Sequence, residues 1–145
     1  MEAAKNRRAF FDYEILEKHE AGLELLGFEV KAIKTGHINL AGAYVIIRGN
    51  EAELINADIP PYQPLNTPSG YDPKRGRRLL LSKEEIKRLS GKSQEKGLTL
   101  IPLRVYTKRG FVKLELALGR SRKKTDKREL IKKRDVEREI GRSLK

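Results

Sequence analysis

Between Phe111 and Leu118 every second residue is a large aliphatic: Val112, Leu114, Leu116 and Leu118. A period of two places all four on one side of an extended chain, whereas a helix would scatter them, so the run is a strand with one buried face. Leu98 to Thr107 is a second extended run, and Lys108, Arg109 and Gly110 between the two make the turn of a hairpin. Pro102 coincides with a shift of phase in the earlier strand and predicts a bulge or an edge there. Another hairpin is as plain: Ala43 to Arg48 and Glu51 to Asn56 flank Gly49 and Asn50, two residues that tolerate positive φ.

Other segments are placed around these hairpins. From Phe10 to Lys18 the chain alternates, with Phe11, Tyr13 and Ile15 opposite Asp12 and Glu14, which predicts a first strand. Leu26, Val30 and Ile33 recur at helical spacing before Gly36, so residues 26–35 fit a short helix, although Phe28 and Val30 also fit a strand. Residues 60–73 hold five of the six prolines (Pro60, Pro61, Pro64, Pro68, Pro73) and therefore read as a long loop without regular pairing. Ser82 with Glu85 three residues on is a capping box, and Leu81 and Ile86 are spaced for a hydrophobic staple. The helix it opens is expected to stop at Gly91 and to resume briefly before Gly97. At least five strands joined by short turns, with two or three short flanking helices, predict a mainly β chain. Closure into a small antiparallel barrel is the expected way to avoid exposed edges.

Charge is distributed unevenly. Residues 119–145 carry 12 Lys or Arg against 5 Asp or Glu, a net of +7, whereas the first 118 residues carry a net of +5. The division expected is a β-barrel over residues 1–118 and a basic tail over 119–145. Leu130, Ile131, Val136, Ile140 and Leu144 are too few to fold that tail alone against its own repulsion, so it is expected to be disordered when free and helical when bound. Such a tail suits a polyanion. A membrane surface is disfavoured, because an interfacial helix needs a bulky apolar face that these scattered aliphatics do not make.

Composition also narrows the chemistry. Without cysteine there is no disulfide, thiolate metal site or cysteine nucleophile. His19 and His37 lack metal-ligand spacing and read as ordinary surface or packing residues. MEAAKNRRAFF has no signal-peptide core and no segment reaches membrane-spanning length, so the expectation is a soluble cytoplasmic protein without cofactor or metal. No phosphate-cradling glycine motif or nucleophile elbow occurs, and Glu84 and Glu85 suit the first turn of a helix. Glu20 is the one acid that could accept from RNA hydroxyls or base edges or act as a base. Three basic clusters are available to phosphates: Asn6, Arg7 and Arg8; Lys74, Arg75, Arg77 and Arg78; and the tail. Tyr13, Tyr44, Tyr62, Tyr71 and Tyr106 could stack on unpaired bases, but packing is the commoner use of tyrosine, and none is singled out.

Several blocks resemble one known family in order and spacing: NRRAFFDY at 6–13, EAGLELLGFEVKAIKTGHINL at 20–40, AYVIIRGNEAELINADIPPY at 43–62, DPKRGRRLLL at 72–81 and TDKRELIKKRDVEREI at 125–140. They are similar to the bacterial SsrA-binding proteins, the small protein B family. The resemblance implies an oligonucleotide-binding (OB) type of barrel without catalytic activity. Its partners would be the tRNA-like domain of transfer-messenger RNA (tmRNA) and the ribosome, one protein standing in for an anticodon stem. The tail would probe the decoding centre and the empty messenger channel of the small subunit.

Carried onto this sequence, the resemblance puts tmRNA contacts at Glu20 and Leu80 and at Ser82, where the family often has Asn. Asn6, Arg7 and Arg8 match its amino-terminal basic motif, and Arg75, Arg77 and Arg78 join the RNA-binding set as a basic cluster. The ribosome-binding tail comprises Arg122, Lys123, Lys124, Asp126, Lys127, Arg128, Lys132, Lys133 and Arg134. Ser121 and Thr125 depart from the usual glycine and the usual aromatic or histidine.

Three functions compete on this reading. An RNA adaptor would prefer a tRNA-like fold, a general RNA-binding or ribosomal protein would lose affinity for all RNAs alike as salt rises, and an RNA-processing enzyme would turn RNA over.

Overall fold

The computed structural model describes residues 2–122 and, beyond them, Arg128, Ile131, Lys132 and Arg134. Seven strands form one antiparallel sheet: β1 (Glu2–Lys5), β2 (Tyr13–Leu23), β3 (Tyr44–Arg48), β4 (Glu51–Ile55), β5 (Arg77–Leu80), β6 (Leu98–Lys108) and β7 (Phe111–Ser121). Their order is β1-β6-β7-β2-β5-β4-β3. The three helices are α1 (Arg7–Asp12), α2 (Gly27–Lys34) and α3 (Lys83–Ser93).

Both hairpins form where the alternation puts them. Gly49 (φ 59°) turns the first, and Arg109 (φ 53°) and Gly110 (φ 82°) turn the second. The register of β6 slips between Pro102 and Arg104, the bulge expected at the proline. Residues 60–73 carry only a single 3-10 turn, Pro64–Asn66. At α2, Gly36 (φ 83°) ends the helix as expected.

Four expectations need correction. The sheet is not closed by hydrogen bonds: β3 and β1 end the strand order, and β3 approaches β6 without a ladder. Phe10, Phe11 and Asp12 are helical, not the start of a strand. Asn6 caps α1 by accepting from the Ala9 amide at 3.3 Å and donates to the Pro102 carbonyl at 3.0 Å, while Ala9 is buried beside Ile101, Leu103 and Ala117. That cap and that burial outweigh an alternation only a few residues long. The helix α3 runs through Gly91 to Ser93, since a glycine inside a helix costs only about 1 kcal/mol and need not stop it. Finally, β1 was not foreseen, because EAAK has no pattern of its own and gains its ladder only by pairing with β6.

The main core lies on one face of β2, β6 and β7, where Ala21, Leu23, Leu100, Val105, Val112, Leu114, Leu116 and Leu118 meet Ile33 of α2, Leu54 of β4 and Leu89 of α3. On the opposite, outer face, α1 roofs one half with the smaller cluster around Ala9. Nothing among the described residues roofs the other half.

Candidate nucleic-acid interface

Alternation decides which side chains reach the unroofed half. Residues two apart on a strand share a face, so Lys18, Glu20 and Gly22 of β2 stand with Lys113 and Glu115 of β7, whose register pairs Glu20 with Glu115 and Gly22 with Lys113. Arg104, Tyr106 and Lys108 of β6 continue the face, since Arg104 pairs with Glu115 and Tyr106 with Lys113. On the other side β5 adds Arg78 and Leu80, with Leu80 opposite Gly22. A Cβ on Gly22 would lie 3.2 Å from that of Leu80, so the glycine lets Leu80 lie down across β2 while remaining 51% exposed. Phe111, at the turn end of β7, is 69% exposed.

Five cations on this face, Lys18, Arg78, Arg104, Lys108 and Lys113, stand against three carboxylates. Glu115 holds Arg104 at 3.2 Å and Lys18 at 4.0 Å, and Glu24 lies 3.8 Å from Arg78. Glu20 Oε2 accepts from the Tyr106 hydroxyl and lies 3.5 Å from Lys108 Nζ. The Tyr106 hydrogen bond, with Lys108 and Lys113 nearby, holds the Glu20 carboxyl below its usual range despite some desolvation, so it is an ionised acceptor near neutrality. An excess of positive charge with an exposed aromatic and an exposed leucine suits an RNA surface better than a catalytic centre. No cluster of potential metal ligands occurs among the described residues.

Of the residues singled out in the sequence, Glu20, Arg78 and Leu80 come together on this face. Ser82 lies just past β5 as the N-cap of α3, its Oγ accepting from the Glu85 amide at 3.2 Å. Arg7 and Arg8 are exposed on α1, at the other end of the outer face, with Arg8 Nε 3.1 Å from Asp12. Asn6 is committed to capping that helix. A cleft of about 570 Å³ opens between α1, residues 39–44 and the 99–102 stretch of β6, along the unbonded seam.

Arg77, expected among the RNA contacts, has no exposed surface and is a correction to that set. Its Nε donates to Glu29 Oε2 at 2.9 Å and its Nη1 to the Ala57 carbonyl at 2.7 Å. The partly exposed Arg75 also pairs with Glu29. Tyr71, its ring edge-on to Phe28 at 4.7 Å, has its hydroxyl oxygen 2.9 Å from both Glu29 Oε2 and the Ile59 carbonyl, two acceptors that share its one hydrogen. In the tail, the Arg122 amide donates to the Asp12 carbonyl at 2.8 Å; Arg128, Lys132 and Arg134 are helical and exposed, with Arg134 Cζ 5.8 Å from the Phe11 ring. Lys123, Lys124, Asp126, Lys127 and Lys133 lie outside the described residues. The sequence reading missed Lys18, Arg104, Lys108 and Lys113 as a group; the signal was present in the residues opposite the aliphatic stripe of β7.

A model of the family described as SmpB protein matches residues 3–145. This chain belongs to the SmpB protein family. It is 51% identical over 140 residues to the SsrA-binding protein of Trichodesmium erythraeum, covering 97% of this chain and 90% of that one. Against the SsrA-binding protein of a Sulfurihydrogenibium species it is 51% identical over 142 residues, covering 98% and 93%. Among solved structures, a chain described by the words "tmRNA-SmpB: a journey to the center of the bacterial ribosome" superposes with a TM-score of 0.68 at 44% identity, covering 83% of this chain and 85% of that one. The family expected from the sequence blocks is thus the family found, and the unroofed sheet face belongs to an SmpB-type fold.

Proposed function

We propose that this chain binds the tRNA-like domain of tmRNA, the SsrA RNA, and carries it to stalled bacterial ribosomes for trans-translation. The observation that supports this reading is the family membership, with relatives named SsrA-binding protein at about half identity over nearly the whole chain. The protein acts by binding, with no bond made or broken in the RNA, and its ribosomal partner puts it in the cytoplasm. Glu20, Arg78, Leu80 and Ser82 meet the tRNA-like domain, with Lys18, Arg104, Lys108 and Lys113 supplying contacts to phosphates. Arg7 and Arg8 reach a more distant stretch of RNA backbone.

The tail takes the other partner. A segment of net charge +7 is self-repelling in solution and is favoured where ribosomal RNA walls its path, so it orders as a helix in the decoding centre and the empty messenger channel. The test compares the full chain with one ending at Arg122 in gel shifts over a salt series, using the tRNA-like domain and an unrelated hairpin. Tight, selective binding by both proteins, with tagging on stalled ribosomes lost in the shorter one, is the expected result. Loss of selectivity with the tail would instead leave a general RNA-binding protein.

A further inference from the structure

The Tyr106 hydroxyl reaches Glu20 over an intervening strand. β6 and β2 are separated by β7, a distance of about 10 Å between strand axes, and the tyrosine side chain spans it above the row that holds Lys113 and Glu115. Its ring is braced from the side by Arg104, whose Cζ lies 4.6 Å from the ring centroid and whose Nη2 is held by Glu115 at 3.2 Å. The hydroxyl and Lys108 Nζ both address the same carboxylate oxygen, Oε2. Oε1 of Glu20 has no hydrogen-bond donor among the described residues, and the side chain is 40% exposed.

An anion in the middle of five cations works against phosphate binding unless it meets a hydrogen-bond donor. We infer that Tyr106 is a positioning residue for RNA recognition, holding the Glu20 carboxylate so that Oε1 accepts from an RNA donor, a base amine or a ribose 2′-hydroxyl, and turns phosphates away. The inference rests on the RNA-binding reading above. It gives the face selectivity as well as charge: an RNA that places a donor over Oε1 gains a charge-assisted hydrogen bond, and one that places phosphate there is repelled. Arg104 is taken by Glu115, Lys108 sits on Oε2, and Lys113 acts on Glu20 through its charge without a hydrogen bond to it, which leaves Oε1 open to a donor from the RNA. Tyr106 remains protonated, and so remains a donor, well above neutral pH: burial and the hydrogen bond to Glu20 push it up to about 12.

Tyr106→Phe removes the hydroxyl and keeps the ring and its contact with Arg104. In the full chain it is expected to weaken binding of the tRNA-like domain at least about tenfold, as loss of a hydrogen bond to a charged group does, and to leave an unrelated hairpin unaffected. Glu20→Ala should lose at least as much, and Tyr106→Phe on top of Glu20→Ala should lose nothing further. In the free protein the Glu20 carboxyl carbon, followed by NMR, should titrate at higher pH in Tyr106→Phe with the melting temperature unchanged. Interference mapping with 2′-deoxynucleotides and with inosine for guanosine separates ribose from base donors: the analogue whose effect vanishes with Glu20→Ala identifies the donor. Losses that add in the double variant, an unmoved Glu20 titration, or no such analogue would overturn the inference while leaving the proposed function intact. A wild-type protein with no preference for the tRNA-like domain would sink the function itself.

Discussion

Arg77 and Glu29 hold each other in the interior with no exposed surface on either side chain, Arg77 Nε at 2.9 Å and Nη2 at 2.5 Å from the same carboxylate oxygen. The pair ties β5 to the first turn of α2, where Glu29 also accepts from the Leu26 amide at 2.8 Å. Through Tyr71 it also anchors the proline-rich loop. One residue on, Arg78 points outward, with its side chain 53% exposed. The two arginines therefore have opposite placements, one internal and one on the outer face proposed to meet RNA. Arg77→Ala leaves the buried Glu29 carboxylate with Arg75 as its one guanidinium partner and should cost about 3 kcal/mol in urea denaturation, the lower end for breaking a buried pair. Arg78→Ala should stay within about 0.5 kcal/mol of the parent while weakening RNA binding and lowering its salt dependence. Equal stability losses for the two would contradict this division.

The same network sets an acid limit. Burial alone would raise the Glu29 carboxyl, but hydrogen bonds from Arg75, the Leu26 amide and Arg77 outweigh it and hold it at about 2 instead of the ordinary 4.5. Because the folded value is the depressed one, the stabilisation is complete above about pH 4.5 and is lost as pH falls toward 2, a total of about 3 kcal/mol. Tyr71 behaves in the opposite sense at high pH: burial and the neighbouring carboxylate push it up to about 12, so the fold is favoured below about pH 10 and loses that contribution as pH approaches 12. Stability measured by chemical denaturation between pH 5 and 2 should fall more steeply for the parent than for Glu29→Gln. Parallel curves would mean that Glu29 does not carry the acid sensitivity.

Much of this could be read from the residues alone, and the misses share a cause. The hairpins were legible because a period of two over eight residues has no competing explanation. Phe10 to Asp12 were not, since three alternating residues carry less information than the Asn6 cap and the burial of Ala9, both of which depend on β6 nearly a hundred residues away. Arg77 was misread because KRGRR looks like a solvated run. The strand that follows it points Arg77 and Leu79 inward and Arg78 and Leu80 outward, and an acid at helical spacing, Glu29, was waiting for it. The outer face was missed for a different reason: its cations come from four strands, and only the register brings them together.

Ser82 joins fold and site in one position. Its hydroxyl oxygen accepts from the Glu85 amide at 3.2 Å and donates to the Glu85 carboxylate at 3.1 Å, so the first turn of α3 is held two residues past Leu80. Ser82→Ala should cost about 1 kcal/mol of thermal stability, whereas Ser82→Asn should stay within a few tenths, because asparagine caps as well as serine. If both variants melt like the parent, the cap contributes nothing and α3 is held by Ile86 and Leu89 alone.

Where the chain is cut decides what a tail experiment means. Alternation of large aliphatics ends at Leu118, but β7 continues: Gly119 pairs with Ile15 and Thr99, Arg120 with Glu14 and Leu98, and Ser121 with Tyr13. The Arg122 amide then donates to the Asp12 carbonyl at 2.8 Å, just where α1 gives way to β2. Gly119 is needed there for its bareness, since a Cβ would come within 2.6 Å of the Ile101 side chain and 3.3 Å of the Glu14 carbonyl. A chain ending at Leu118 strips partners from β2 and β6, the two neighbours of β7, and unpins α1, at roughly 1 kcal/mol for each backbone hydrogen bond lost. It should therefore unfold at clearly lower urea concentration than the full chain, while a chain ending at Arg122 should match it. Weak RNA binding by the shorter piece would then report a damaged sheet, and only the cut after Arg122 separates the work of the tail from that of the seven-stranded body; if both pieces unfold together with the full chain, residues 119–122 add no stability and either cut will serve.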